Sequence, residues 1–130
     1  MKLLITALLA VFSTNVMAEW IRADATEDSP TYADLSSTLT FGNKVRMWSM
    51  ADLKETRTVG EVRFLSVLTH SEYDCNERTS RELSYMWYAE HMGEGEVLYV
   101  NANVGDKSAS ILPDSIDEAL FKMACESELP

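Results

Sequence analysis

A chain of 130 residues, of which 46% are hydrophobic and 25% charged, is long enough for one domain with one hydrophobic core. Its 21 acidic residues outnumber its 11 basic residues, so the formal net charge is −10 at pH 7. This charge excludes nucleic acid and anionic membrane surfaces as general partners, because most of the molecular surface would repel them.

The N-terminus has the pattern of an export signal in residues 1–18. Lys2 supplies a positive charge, residues 3–12 are apolar, and residues 16–18 read Val-Met-Ala, a cleavage site. Cleavage there removes one base and no acid, which leaves 112 of the 130 residues and changes the formal charge from −10 to −11. We therefore expect residues 19–130 to form a single domain that is periplasmic, secreted or displayed at the cell surface. No later apolar run reaches the ~20 residues of a membrane span, and no lipidation cysteine follows the cleavage site.

The first half of the mature chain predicts one clear strand. Residues 19–40 are polar and interrupted by Pro30, so we expect a loosely packed segment with short extended stretches at 20–23 and 31–34. Residues 44–53 mix apolar and polar side chains without proline or glycine, which predicts a strand, followed by a turn that ends at Gly60.

Three further strands are predicted at 63–75, 81–88 and 97–100, with a glycine-containing turn at 92–95 before the last of them. Strands joined by such short connections predict an antiparallel meander. In the first of these strands, side-chain alternation assigns one set of residues to the core and another to solvent. The core set is Leu65, Val67, Thr69, Tyr73 and Cys75, and the solvent set is His70, Glu72 and Asp74.

The end of the chain changes to a helical period. The apolar residues Ile116, Ala119, Leu120, Met123 and Ala124 form one stripe of an amphipathic helix. Ser115 and Glu118 form a capping box at its start, which fixes the first turn. The predicted fold class is therefore α+β, with an antiparallel sheet packed by a C-terminal helix.

Two cysteines, Cys75 and Cys125, are the only ones in the chain. Neither belongs to a C-x-x-C pair or stands near clustered histidines, so export to an oxidising compartment predicts a structural disulfide. Such a bond would lock the last helical turn to the strand that ends at Cys75. The loop-entropy model assigns about 4 kcal/mol to closing a loop of this length.

The sequence predicts neither a catalytic site nor a bound cofactor. No G-x-S-x-G, H-E-x-x-H or phosphate-binding loop is present, so we expect a non-enzymatic protein. His70, Glu72 and Asp74 are spaced about 7 Å apart along one strand face, a pattern that could contribute to a metal site. A solvated strand face explains the same pattern, and no metal site is predicted.

A basic segment is the candidate protein-binding patch. Five bases outnumber three acids between residues 44 and 63, a local excess that could steer encounter with an acidic surface. The alternative is that these charges pair with the acidic residues around them, since exposed ion pairs are common. The candidate residues are Lys44, Arg46, Lys54, Arg57 and Arg63.

Several short motifs resemble the bacterial surface-adhesin protein E-like family. They are Tyr73-Asp74-Cys75, Arg81-Glu82-Leu83-Ser84, Tyr88, Met92-Gly93-Glu94-Gly95-Glu96-Val97, Pro113-Asp114-Ser115, Glu118-Ala119-Leu120 and Cys125, within residues 44–125. The resemblance implies a compact α+β domain, a Cys75–Cys125 disulfide and a capacity to form homodimers. It also implies a binding module for host matrix or serum proteins, or for an envelope partner. The alternative from charge alone is a periplasmic inhibitor or envelope-stress factor that neutralises a cationic enzyme such as lysozyme.

Overall fold

A computed structural model describes residues 19–24 and 29–126, so the predicted export signal lies outside the described residues. Seven strands, one 3₁₀ turn and one α-helix make up this part of the chain. The strands are β1 (Trp20–Arg22), β2 (Thr31–Phe41), β3 (Lys44–Val59), β4 (Val62–Asp74), β5 (Thr79–Tyr88), β6 (Val97–Asn101) and β7 (Ala109–Ser110). The 3₁₀ turn is His91–Gly93, and the helix α1 is Ile116–Glu126.

The predicted antiparallel meander is confirmed. Strands β1 to β6 lie in chain order within one sheet, and each pairs antiparallel with the next. The β3–β4 hairpin turns at Gly60, whose φ of 61° lies in the left-handed region that favours glycine. Strand β7 pairs with the opposite end of β5 from β6, so residues 102–108 form a loop that interrupts this edge of the sheet.

The main core lies between α1 and one face of the sheet. Helix residues Leu120, Phe121 and Ala124 are buried there, which confirms an amphipathic helix. Ser115 Oγ accepts the Glu118 N–H at 3.2 Å, as the capping box predicts, while the Glu118 carboxylate accepts the N–H of Asp114 rather than that of Ser115. The sheet contributes Ala33, Val45, Met47 and Tyr73, and Ile111 adds to the same cluster.

The predicted disulfide is confirmed between Cys75 and Cys125, whose Cα atoms are 5.8 Å apart. It joins the last turn of α1 to the residue that follows β4. The helix is therefore held against the sheet by apolar packing and by a covalent bond. In the part of the chain that the structure describes, no helix has the length and apolar character of a membrane span.

The expectation of a loosely packed segment at 19–40 is wrong, although the extended stretches expected at 20–23 and 31–34 are present within β1 and β2. Strand β2 runs for 11 residues between β1 and β3, and its Ala33 is completely buried. Pro30 does not disturb it, because the proline precedes the strand, and its carbonyl accepts the Asp52 N–H at 2.9 Å. The sequence therefore indicated only the first four residues of a strand that has neighbours on both sides.

The predicted faces of β4 are also partly wrong. Tyr73 is buried as expected, but Glu72 is only 7% exposed, and Phe64 and Ser66 are buried although they were not assigned to the core. The reason is that both faces of this strand are covered. The 3₁₀ turn covers the face opposite α1, because Gly93 packs on Leu68 there and the Gly93 N–H donates to Ser66 Oγ at 2.9 Å.

Candidate functional site

The open part of the sheet face opposite α1 carries a cluster of charged and aromatic side chains. Alternation along β3 directs Val45 and Met47 to the helix and their neighbours to the opposite face. Antiparallel register then places Arg46 opposite Glu72, Glu72 opposite Arg81, and Trp48 opposite His70. We call this surface the arginine face and define it by Lys44, Arg46, Trp48, His70, Glu72 and Arg81.

Glu72 is the centre of the arginine face. Its side chain is 8% exposed, and its carboxylate accepts hydrogen bonds from Arg46 Nε at 2.9 Å and from Arg81 Nη2 at 3.0 Å. Lys44 Nζ lies 3.8 Å away. Burial alone would raise the pKa of this carboxyl, but the Arg46 hydrogen bond and the three nearby positive charges hold the pKa below its ordinary value. Glu72 is therefore an ionised, buried anchor for the bases around it.

The two arginines differ in their remaining contacts. Arg46 lies with its guanidinium carbon 5.0 Å from the centre of the Phe41 ring, and its Nη groups have no hydrogen-bond acceptor among the described residues. Arg81 bridges Glu72 to Asp106, whose carboxylate lies 3.4 Å from Arg81 Nη1 and is fully exposed. Both guanidinium groups are thus fixed by a buried partner and remain in contact with solvent.

Trp48 and His70 add a flat ring pair beside the arginines. Their ring centres are 4.6 Å apart, and the ring planes differ by 11°. Burial and the neighbouring Arg46 charge lower the pKa of His70, although the charge of Glu72 opposes this change. The imidazole is therefore neutral at pH 7, and the arginines supply the positive charge beside it.

A groove of about 390 Å³ lies over this surface. Arg46, His70 and Arg81 line one side of it, and residues 102–106 line the other. This loop occupies the gap between β6 and β7, so the interrupted sheet edge gives the groove its second wall. The arrangement presents hydrogen-bond donors and aromatic rings in a shallow depression that is suited to binding.

The five bases of the candidate patch lie in two separate groups. Lys44 and Arg46 belong to the arginine face, whereas Lys54, Arg57 and Arg63 lie near the far end of the β3–β4 hairpin. At about 3.3 Å per strand residue, Arg46 and Lys54 are roughly 25 Å apart. Strand pairing brings Arg81 next to the first group. Arg81 was not predicted to belong to it, because it is distant from Lys44 and Arg46 in the sequence.

The structure gives different roles to the three residues that were weighed as metal ligands. His70 stacks on Trp48, Glu72 is paired with bases, and the Asp74 carboxylate accepts the N–H groups of Asn76 and Glu77 at 3.1 and 3.0 Å. Within residues 19–24 and 29–126, no three His, Cys, Asp or Glu side chains are grouped as a metal site would need. Glu72 does not fit the expected solvated face, because it is buried beneath bases, whereas His70 and Asp74 are half-buried.

A second aromatic group lies on β5 and β6. Trp87 stacks on Phe64 with ring centres 4.3 Å apart and packs against Tyr99 at 4.6 Å. Tyr85 lies 6.0 Å from Tyr99, which is 41% exposed. Phe64 belongs to the buried part of this group, whereas Tyr99 reaches the surface.

Comparison with known proteins identifies the family. The model of the surface-adhesin protein E family matches residues 20–126, so the chain belongs to this family. Two crystal structures of Haemophilus influenzae protein E have the same fold, with TM-scores of 0.66 and 0.64 at 19% identity. The aligned regions cover 87% of this chain and 91% and 88% of those chains. No curated protein matches the sequence. Family membership makes the chain an adhesin-like binding module that is secreted or located at the cell surface.

Proposed function

We propose that this member of the surface-adhesin protein E family is an exported, non-enzymatic module that binds a host matrix or serum protein through the arginine face. The observation that carries the proposal is the cluster of three bases around the buried carboxylate of Glu72. A buried anion that holds two guanidinium groups beside a groove fixes their positions before a ligand arrives. Such preorganisation reduces the entropy lost on binding.

The distribution of charge favours the arginine face as the surface that an acidic partner approaches. The mature chain is acidic, so an acidic partner is repelled by most of the surface and repelled least where the bases cluster. Complementary local charge favours one docking orientation and accelerates association more than it raises affinity. Trp48, beside the arginines, supplies an aromatic anchor of the type enriched at binding hot spots.

The test is binding of the purified, oxidised mature protein to immobilised laminin, fibronectin, collagen and serum glycoproteins. We expect saturable binding to at least one of them, with loss of affinity in the Arg46→Gln variant. Arg63→Gln is the matched control, because it removes the same charge from the far end of the β3–β4 hairpin. Absence of binding to every ligand by a folded, oxidised sample would reject the proposal. Protease accessibility on intact cells is the companion measurement, since an adhesin must be exposed outside the cell.

A periplasmic inhibitor of a cationic enzyme is the second candidate, and the net charge favours it. The 21 acidic residues against 11 basic ones would attract an enzyme such as lysozyme most strongly at low salt. A lysozyme rate that stays unchanged with excess protein at low ionic strength would eliminate this candidate. Retention in the periplasm of intact cells would favour it over adhesion. Either function is compatible with a homodimer, which sedimentation of the mature protein would detect.

A further inference from the structure

We propose that Arg46 and Arg81 form a subsite for a carboxylate of an acidic peptide segment, and that the loop residue Asp106 occupies part of this subsite in the free protein. The proposal rests on the proposed function, because it names the partner chemistry that the arginine face recognises. The two guanidinium groups, with the buried Glu72 carboxylate between them, lie within reach of the loop that carries Asp106.

The first step is the geometry of the donors. Glu72 holds Arg46 through Nε and Arg81 through Nη2, so each guanidinium group is anchored at one nitrogen. The Nη groups of Arg46 have no hydrogen-bond acceptor among the described residues, and Arg46 is one of the residues that line the groove. Guanidinium groups held in this way offer paired N–H donors that match the two oxygens of a carboxylate.

The second step is the charge balance. Lys44, Arg46 and Arg81 carry three positive charges, while Glu72 and Asp74 carry two negative charges at the same place. Asp106 balances the remaining charge only through a 3.4 Å contact to Arg81 from a fully exposed side chain. Removal of the Asp106 carboxylate from this contact therefore leaves one unbalanced positive charge. A ligand carboxylate can balance this charge in place of Asp106.

The third step identifies the ligand class. Asp106 is itself a carboxylate on an irregular peptide segment, residues 102–108, that reaches Arg81 along the groove wall. The contact shows that a peptide-borne carboxylate fits Arg81. The Asp106 side chain is fully exposed and lies 3.4 Å from Arg81, so a better-placed carboxylate can displace it at little cost. Exposed ion pairs contribute little stability. A glutamate or aspartate in an extended segment of the partner protein is therefore the occupant.

The test uses a short synthetic peptide that carries glutamates separated by glycine and serine, with a glutamine version as the uncharged control. Binding to the oxidised mature protein is measured by calorimetry, with the backbone amide signals of Arg46 and Arg81 followed by NMR. We expect only the glutamate peptide to bind and to shift these signals. Arg46→Gln should weaken its affinity about tenfold, as loss of a charge-assisted pair does, whereas Arg63→Gln should change it little. Equal losses in the two variants would overturn the proposal.

Asp106→Asn gives the opposite and sharper expectation. This variant removes the internal competitor without touching the buried Glu72 cluster, so it should fold normally and bind the glutamate peptide several-fold more tightly. Glu61→Gln removes the same charge at the exposed β3–β4 turn and controls for the change in net charge. Unchanged or weaker affinity in Asp106→Asn, or an equal gain in Glu61→Gln, would overturn the proposal that Asp106 competes with the ligand carboxylate.

The outcomes also separate this subsite from the broader function. Binding of a matrix protein that survives in both Arg46→Gln and Arg81→Gln would refute the subsite and the arginine face as the binding surface, and would leave adhesion through another surface standing. Peptide binding at Arg46 without binding to any matrix protein would support the subsite and refute the matrix ligand. Self-association of the free protein that Arg46→Gln abolishes, without peptide binding, would show that the occupant is a second copy and would overturn the proposal.

Discussion

Replacement of Glu72 by glutamine tests the electrostatic account of the arginine face. The substitution keeps the size of the side chain and removes the charge that three bases contact at 2.9, 3.0 and 3.8 Å. Each charge-assisted hydrogen bond to a buried anion contributes about 1.5 to 3 kcal/mol to stability. The three bases are partly exposed and can hydrogen-bond to water after the substitution, which reduces the cost of losing these bonds. We therefore expect the free energy of unfolding at pH 7 to fall by about 2 kcal/mol.

Urea unfolding followed by tryptophan fluorescence measures this loss, with Glu61→Gln at the exposed hairpin turn as the matched control. The pKa of Glu72 is lower in the folded protein than in the unfolded chain, so its contribution is complete above the ordinary glutamate pKa. The contribution is lost as pH falls through the lowered pKa. The difference between wild type and Glu72→Gln should thus shrink from pH 7 towards pH 3. A difference below about 0.5 kcal/mol at pH 7, or one that persists unchanged in acid, would refute the reasoning.

Three further substitutions test the contacts that hold the sheet and its coverings together. Replacing Cys75 and Cys125 by serine should lower the free energy of unfolding by about 4 kcal/mol, and equal urea midpoints for oxidised wild type and variant would contradict this. Ser66→Ala removes a fully buried hydroxyl that donates to the Glu90 carbonyl and accepts the Gly93 N–H, so thermal unfolding should reveal a loss of about 1 to 3 kcal/mol. An unchanged Tm would count against that role. Gly93→Ala should destabilise more than Gly42→Ala, because its Cβ would lie 2.8 Å from a leucine methyl whereas that of Gly42 meets nothing within 4 Å; equal losses in urea unfolding would disprove the crowding.

Local sequence signals were sufficient for the parts of the fold that depend on neighbouring residues. The capping serine, the apolar stripe of α1 and the turn at Gly60 each act within a few positions, and each is present in the structure. The Cys75–Cys125 bond was predictable because the exported chain contains only two cysteines. Strand β2 was not predictable from polarity, because its burial depends on β1 and β3 lying on either side.

The candidate site was predictable only in part, for the same reason. Lys44 and Arg46 were identified as part of a basic segment. Most of that segment lies along β3, and β3 is so long that the bases at its two ends do not share one surface. Arg81 stands 35 positions after Arg46, and only the pairing of β3 with β4 and β4 with β5 brings it to the same carboxylate. Glu72 was assigned to solvent because alternation alone does not reveal that three bases cover it.

The arginine face lies on the side of the sheet opposite the helix-packed core. Val45, Met47 and Tyr73 pack against α1, whereas their neighbours Arg46 and Glu72 point away from it. Substitutions on the outer face therefore leave the helix–sheet core intact, which is consistent with a shared fold at 19% identity to Haemophilus influenzae protein E. The disulfide and the core nevertheless hold β3, β4 and β5 in register, and that register aligns the two arginines on Glu72. The scaffold beneath the arginine face therefore fixes the positions of its charged groups without depending on which residues the outer face carries.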